Sequence, residues 1–293
     1  MPSRLTTIGI VIFWLATTSW LMYRELAPRW NSGNPPKFAL DMTDEVKKRI
    51  TVLWEVSQND EKVGTASTTI LRRGKGMFEL EFRMTFRANV NPTASLGRGL
   101  LALSKCNQKL LITRNGEIRQ FSHLLAGDFA SAKWQIKTWG TVSDNRRVDP
   151  KYEISGPFQK KIQGEPFTLD PGEDVLTIWF PANRVLGLYE GRQWSVPPHA
   201  LNKGLVNGLL KKVLPIPPPA SPELIARVYQ DSLKWQGEEV ACWRINLTKP
   251  KQMGLNEIDR EVNFNYWVRR KDGLILRQEG SVAAIKLTYQ RKP

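Results

Sequence analysis

The sequence predicts a mainly β protein, a large curved antiparallel sheet or half-barrel with one or two packed helices, preceded by one transmembrane helix. Three observations predict it. Apolar and polar residues alternate with period two in several runs, turn motifs rich in glycine, asparagine and aspartate separate those runs, and an uncharged apolar stretch stands near the N-terminus. The chain has 293 residues, 41% of them hydrophobic and 24% charged, which suffices for a substantial core. Its 11 tryptophans fall mostly inside the patterned runs, where large aromatic rings supply buried area.

The first element is the apolar stretch. From Leu5 to Tyr23 no residue is charged, and Ile8, Ile10, Val11, Ile12, Phe13, Trp14 and Leu15 supply the bulk. At roughly 1.5 Å per residue such a run just crosses a hydrocarbon core of about 30 Å. Trp20 and Tyr23 suit an interfacial belt, and Arg24 and Arg29 follow. A secretory signal shares the basic start at Arg4, but nothing after Met22 offers a small-x-small cleavage site. Residues 1–26 therefore read as an uncleaved signal anchor with the membrane as partner. The domain behind it is expected outside the cytoplasm, in the periplasm of a double-membrane bacterium. Residues 27–38, with Pro28, Asn31, Gly33, Pro35 and Pro36, have the composition of a stiff linker, and residues 39–293 are expected to form the β-rich domain.

The strands follow in order. Ile50 to Val56 and Val63 to Leu71 flank a polar turn, Gln58 to Glu61. In Met77 to Arg87 the residues Phe78, Leu80, Phe82, Met84 and Phe86 alternate with charged and polar ones, so one face is apolar and the other solvated. Three consecutive strands make a meander. Asn115-Gly116 between Lys109–Thr113 and Ile118–Phe121 signals a two-residue hairpin, because both turn positions favour positive φ. Ala241, Trp243, Ile245 and Leu247 share one strand face, which sets Cys242 on the more polar one. Asn263 to Arg270, a Lys271-Asp272-Gly273 turn and Leu274 to Gln278 form another hairpin, and Ile285, Leu287 and Tyr289 alternate in a last strand. Helices are expected at Ser95 to Lys105 and at Ala200 to Leu214, the second with Leu201, Leu205, Leu209 and Leu210 on one side. Pro215 to Pro222 reads as an extended internal loop.

The formal charge of +15 favours anionic partners. The basic residues come as scattered pairs and triplets, such as Lys47-Lys48-Arg49, Arg72-Arg73 and Arg269-Arg270-Lys271, and no zinc-finger or RNP-type motif accompanies them. Anionic lipid or an envelope polymer is thus preferred to nucleic acid as a partner. Metal chemistry has no ligand pattern, since Cys106 and Cys242 stand far apart without neighbouring histidines. The same distance leaves their pairing open. Catalytic motifs are missing as well: there is no G-x-S-x-G, H-E-x-x-H, phosphate loop or dinucleotide fingerprint, and no cofactor is implied. His123 and His199 read as structural or surface imidazoles, and Asp170, Glu173 and Asp174 as an acidic loop.

The signal-like N-terminus, the long amphipathic strands with small turns, the Gly191-Arg192-Gln193-Trp194-Ser195-Val196 segment and the terminal Lys271-Asp272-Gly273 hairpin together resemble bacterial envelope proteins related to the LolA/LolB-like lipoprotein-carrier fold. That resemblance implies a curved sheet holding acyl chains against a helical lid, with Phe78, Phe82 and Phe86 lining the ligand surface. It departs in length, in the apparent anchor and in the missing lipidation cysteine. The function expected is a membrane-tethered, non-enzymatic envelope protein that binds a lipid or other amphiphile. The alternatives are an assembly component that docks a protein through its basic surface or a sheet edge, and an envelope polysaccharide hydrolase.

Overall fold

A computed structural model describes residues 10, 12–22, 49–74, 76–87, 93–96, 99–114, 117–129, 132–157, 159–169, 183–196, 224–248, 262–282 and 285–293. The expected meander is present as β1 (Ile50–Gln58), β2 (Glu61–Gly74) and β3 (Met77–Phe86). Asn59 and Asp60, between β1 and β2, both have positive φ, 50° and 64°, as a tight hairpin turn requires. Next come β4 (Thr93–Leu96), β5 (Gly99–Thr113), β6 (Ile118–Phe129), β7 (Ala132–Val142), β8 (Arg147–Ser155), β9 (Lys160–Gln163) and β10 (Phe167–Thr168). A second run contains β11 (Gln193–Val196), β12 (Leu224–Trp235), β13 (Glu238–Thr248), β14 (Val262–Arg269), β15 (Ile275–Val282) and β16 (Ile285–Arg291).

All sixteen strands join one antiparallel sheet, ordered β10-β8-β7-β6-β5-β3-β2-β1-β16-β15-β14-β13-β12-β11, with β4 on β5 and β9 on β8. The chain thus starts mid-sheet, steps strand by strand to one edge, resumes at the opposite edge and returns. β16 then pairs with β1, Trp54 opposite Arg291 and Val56 opposite Tyr289.

The sheet curls. β3 and β16 are three strands apart, about 14 Å if flat at the usual inter-strand spacing. Yet the Phe82 and Tyr289 rings meet edge to face at 6.4 Å, and the Tyr289 hydroxyl donates to Met84 Sδ at 3.5 Å. β12 and β16 are four strands apart, about 19 Å flat, and still Trp235 Nε1 donates to the Arg291 carbonyl at 3.2 Å.

One face carries two apolar clusters. The larger joins Trp54, Phe82, Met84 and Phe86 with Ile245, Val268, Leu287 and Tyr289, and the smaller joins Ile70, Phe78, Leu110, Ile112, Phe121, Val148 and Tyr152. The opposite face carries a cross-strand row, Tyr229, Arg244, Trp267 and Arg277, one residue from each of β12 to β15. Arg244 lies over Tyr229 at 5.9 Å and Arg277 over Trp267 at 5.2 Å. Asp231 ties the row together, accepting from Trp267 Nε1 at 3.1 Å and pairing with Arg244 at 3.3 Å.

Several expectations are corrected. Ser95 to Lys105 is not helical: it supplies β4 and the start of β5, Ser95 opposite Leu100. Gly97 and Gly99 disfavour a helix there, and the long ladder between β5 and β6 claims the leucines. The helix expected over Ala200–Leu214, the Pro215–Pro222 loop, the 27–38 linker, His199, and Asp170, Glu173 and Asp174 lie outside the described residues.

Among the described residues no helix packs on the sheet. The one present, α1 (residues 12–22), leaves Phe13, Trp14, Trp20 and Leu21 exposed. Nor is any described helix long and apolar enough to cross a membrane. Thr17, Thr18 and Ser19 dilute the apolar character of α1.

Cys242 has the expected polar cross-strand neighbours, Asp231 and Arg269, yet it is fully buried. Arg269 is drawn over the Trp235 ring at 5.3 Å and held by Asp272, and Arg270 Nε donates to the Cys242 carbonyl. Cys106 and Cys242 are both buried free thiols.

Candidate functional site

The candidate site is a cavity of about 610 Å³ where β3, β5, β6, β7 and β8 come together at one end of the sheet. Each strand contributes for a local reason. β3 ends in Phe86, the last apolar residue of its alternation, 9% exposed. β5 contributes Ser104 from a bulge, because its pairing with β6 slips between Leu103 and Lys105. β6 and β7 contribute the cross-strand pairs Gly127 with Trp134 and Asp128 with Lys133. A glycine opposite the indole leaves the space beside it open. β8 contributes Ser155, paired with Gln135, and Gly156 follows. Gly156 has φ of +154°, and a Cβ there would stand 2.7 Å from the Lys133 carbonyl oxygen, so the wall can close this tightly only with glycine.

The lining is amphipathic: Phe86 and Trp134 are apolar, Asp128 and Lys133 carry opposite charges, and Ser104, Gln135 and Ser155 are neutral donors and acceptors. Trp134 packs against the larger apolar cluster, and its indole nitrogen is buried with no hydrogen-bond partner among the described residues. Such a group costs free energy unless an acceptor reaches it.

The three phenylalanines expected to line a ligand surface share one face of β3, Phe82 and Phe86 in the larger apolar cluster and Phe78 in the smaller. Phe78 is 4% exposed in the smaller cluster, opposite Ile112. Phe82 is 2% exposed in the larger one, against Tyr289. Only Phe86 borders the cavity.

His123 lies on the apolar face between Gln108 and Thr138. Gln108 Nε2 donates to His123 Nε2 at 2.6 Å, and the Phe121 ring meets the imidazole edge to face at 5.8 Å. Accepting that bond requires a neutral ring protonated on Nδ1. Burial lowers its pKa to about 3. The thiols are equally unreactive by position, burial raising Cys106 to about 12 and Cys242 to about 11. Among the described residues no cluster of histidine, cysteine, aspartate or glutamate could hold a metal ion.

Sequence reasoning missed Ser104, Gly127, Trp134, Ser155 and Gly156. The usable signal was in Ala132 to Thr138, where Trp134, Ile136 and Thr138 alternate with Lys133, Gln135 and Lys137. Comparison with protein-family models, curated proteins and solved structures finds no match for this chain.

Proposed function

We propose that this is a non-enzymatic, membrane-associated protein that binds a single-chain amphiphile in the cavity between Phe86 and Trp134. The observation that carries the reading is the 610 Å³ amphipathic cavity itself, which sets the apolar Phe86 and Trp134 beside polar residues at the strand ends. That volume falls within the roughly 300–1,000 Å³ of small-molecule sites, which are mostly apolar with a few placed polar groups. An acyl chain would lie along Phe86 and the Trp134 ring. Its polar head would reach Ser104 and the charged rim that Asp128 and Lys133 form where β6 and β7 meet. Membrane association is supported by α1, whose Ile12, Phe13, Trp14 and Leu15 are each more than half exposed to water and would be better placed in lipid. The resemblance of the strand and turn pattern to lipoprotein carriers points the same way.

Recognition by an added strand is the weaker reading. The sheet ends in strands of only two to four residues, β9 and β10 on one side and β11 on the other, which offer little template for a partner.

The test is a fluorescence titration of the full chain with a dansyl fatty acid, alongside Gln135→Trp. Gln135 lines the cavity through its strand backbone and its exposed side chain stands on the face opposite Trp134, so a bulky residue there tests whether the β7 rim, rather than the core, closes the site. Saturable binding that the variant weakens at least about tenfold, a cost of about 1.4 kcal/mol, with an unchanged melting temperature, is expected. Equal binding by both proteins would remove the cavity as the site.

A further inference from the structure

The sheet has an electrostatic polarity that its topology creates. Because every pairing is antiparallel, the turns alternate between two ends. One end carries the turns β2–β3, β5–β6, β7–β8, β12–β13 and β14–β15, together with the start of β1 and the end of β16. Its basic residues fall at successive positions around the rim: Arg49 before β1, Arg72-Arg73 at the end of β2, Arg114 after β5 and Arg146-Arg147 at the start of β8. On the other half of the sheet Arg270-Lys271 follow β14 and Lys292 follows β16. Segment 183–185 adds Arg184, held against this corner by a bridge to Leu274 and by Arg291 Nη1 donating to Asn183 Oδ1 at 2.8 Å.

Acidic residues at this end are fewer and mostly engaged. Asp144 pairs with Arg119, Glu117 also pairs with Arg119, and Asp272 takes a bidentate grip from Arg269 at 2.6 and 2.9 Å. Glu79 and Asp149 pair with Arg73 and Arg147 of the rim itself, Glu239 accepts from the Ser232 hydroxyl, and Glu238 opens β13. Among the described residues the opposite end sets Asp60, Glu61 and Asp128 against Lys62, Arg87, Lys133, Lys160, Lys161 and Lys286, a smaller excess of positive charge.

A second asymmetry coincides with this one. The chain coming from the exposed apolar helix α1 enters the sheet at the basic end, through Arg49 and Ile50, with Lys47-Lys48 immediately before them in sequence. We propose that the basic end of the sheet, around Arg49, Lys271 and Lys292, docks on an anionic phospholipid bilayer, with the sheet standing on the membrane that takes up α1. Cationic residues near an anionic surface each strengthen binding about fivefold at low salt, and the effect decays within a Debye length. The apolar helix confines the chain to the bilayer, and the basic rim sets its orientation. The inference is independent of the cavity.

The test uses the full chain with an environment-sensitive fluorophore on one introduced cysteine, at Pro293→Cys on the basic end or Asp60→Cys on the other. Cys106 and Cys242 are buried and stay unlabelled. Vesicles of phosphatidylcholine, with and without phosphatidylglycerol, are added at low and high salt. Expected is a response of the Pro293→Cys probe to the anionic vesicles only, reversed by salt, with Asp60→Cys silent. Adding Arg49→Gln, Lys271→Gln and Lys292→Gln should raise the anionic-vesicle concentration needed at least about tenfold, since each lost charge is worth about fivefold when fully engaged. The proposal is overturned if the two probes respond alike, if neither responds, if the triple variant is unchanged, or if duplex DNA shifts the Pro293→Cys probe while anionic vesicles do not.

Discussion

His123 is an ionisable side chain placed where its charged form is not tolerated. Its neighbours on adjacent strands are Gln108, which donates to it, and Thr138, and the Phe121 ring stands against it. No carboxylate is among them to stabilise an imidazolium. Burial lowers the folded-state pKa to about 3, below the unfolded value of 6.5. The unfolded chain therefore takes up the proton first as the pH falls. Stability is complete above about pH 6.5 and is lost progressively toward about pH 3, with a slope of at most about 1.4 kcal/mol per pH unit from this residue. His123→Gln keeps an acceptor for the Gln108 amide and removes the titration. Urea unfolding at pH 7 and pH 4.5 checks this: the variant should lose less stability on acidification than the parent, and parallel losses would show that the imidazole titrates in water.

At the scale of elements, the row across β12 to β15 does on the solvent side what the apolar clusters do on the other face. Trp267 is its centre, stacked under Arg277 and donating to Asp231, which also holds Arg244. Trp267→Ala removes the ring and the charge-assisted hydrogen bond and should cost about 2–3 kcal/mol in urea unfolding, while Trp267→Phe keeps the cation–π contact and should cost about 1 kcal/mol. Equal effects would mean that the indole N–H carries the row. The strands that were legible in the sequence are those with strict alternation and standard turn chemistry. Phe78 to Phe86 shows its face at once, and the hairpin around Gly273, at φ of 72°, is marked by its Asp-Gly pair. Ser95 to Lys105 misled because Leu100, Leu101 and Leu103 suit a helix face as readily as a strand that neighbouring strands claim. β8 was hidden by Pro150, tolerated because its neighbours on the outer side are only the short β9 and β10. Of the cavity only Phe86 and the alternation around Trp134 were legible, since its walls come from five strands whose mutual registers, including the β5 bulge at Ser104, no local pattern fixes.

For the whole molecule, one pairing decides whether there is one sheet or two. Both runs of strands, β1 to β10 and β11 to β16, are built almost wholly from contacts between sequence neighbours, whose loop-closure cost is small. The exception is β1 with β16, which joins Trp54 to Arg291 across nearly the whole chain. Tyr289 extends this seam by reaching over β1 and β2 to Phe82 and Met84, so the larger apolar cluster is shared between the two runs. Deleting residues 285–293 leaves β1 and β15 as long unpaired edges flanked by Trp54, Val56 and Gln278, residues that are 0%, 0% and 1% exposed in the intact sheet. Such edges invite aggregation. The truncated chain should lose the single cooperative melt by circular dichroism and elute as large species on size exclusion, even though every hairpin of β1 to β8 is retained. A truncated protein that stays monomeric and melts within a few degrees of the parent would mean that the two meanders hold their own cores and that the seam merely joins them.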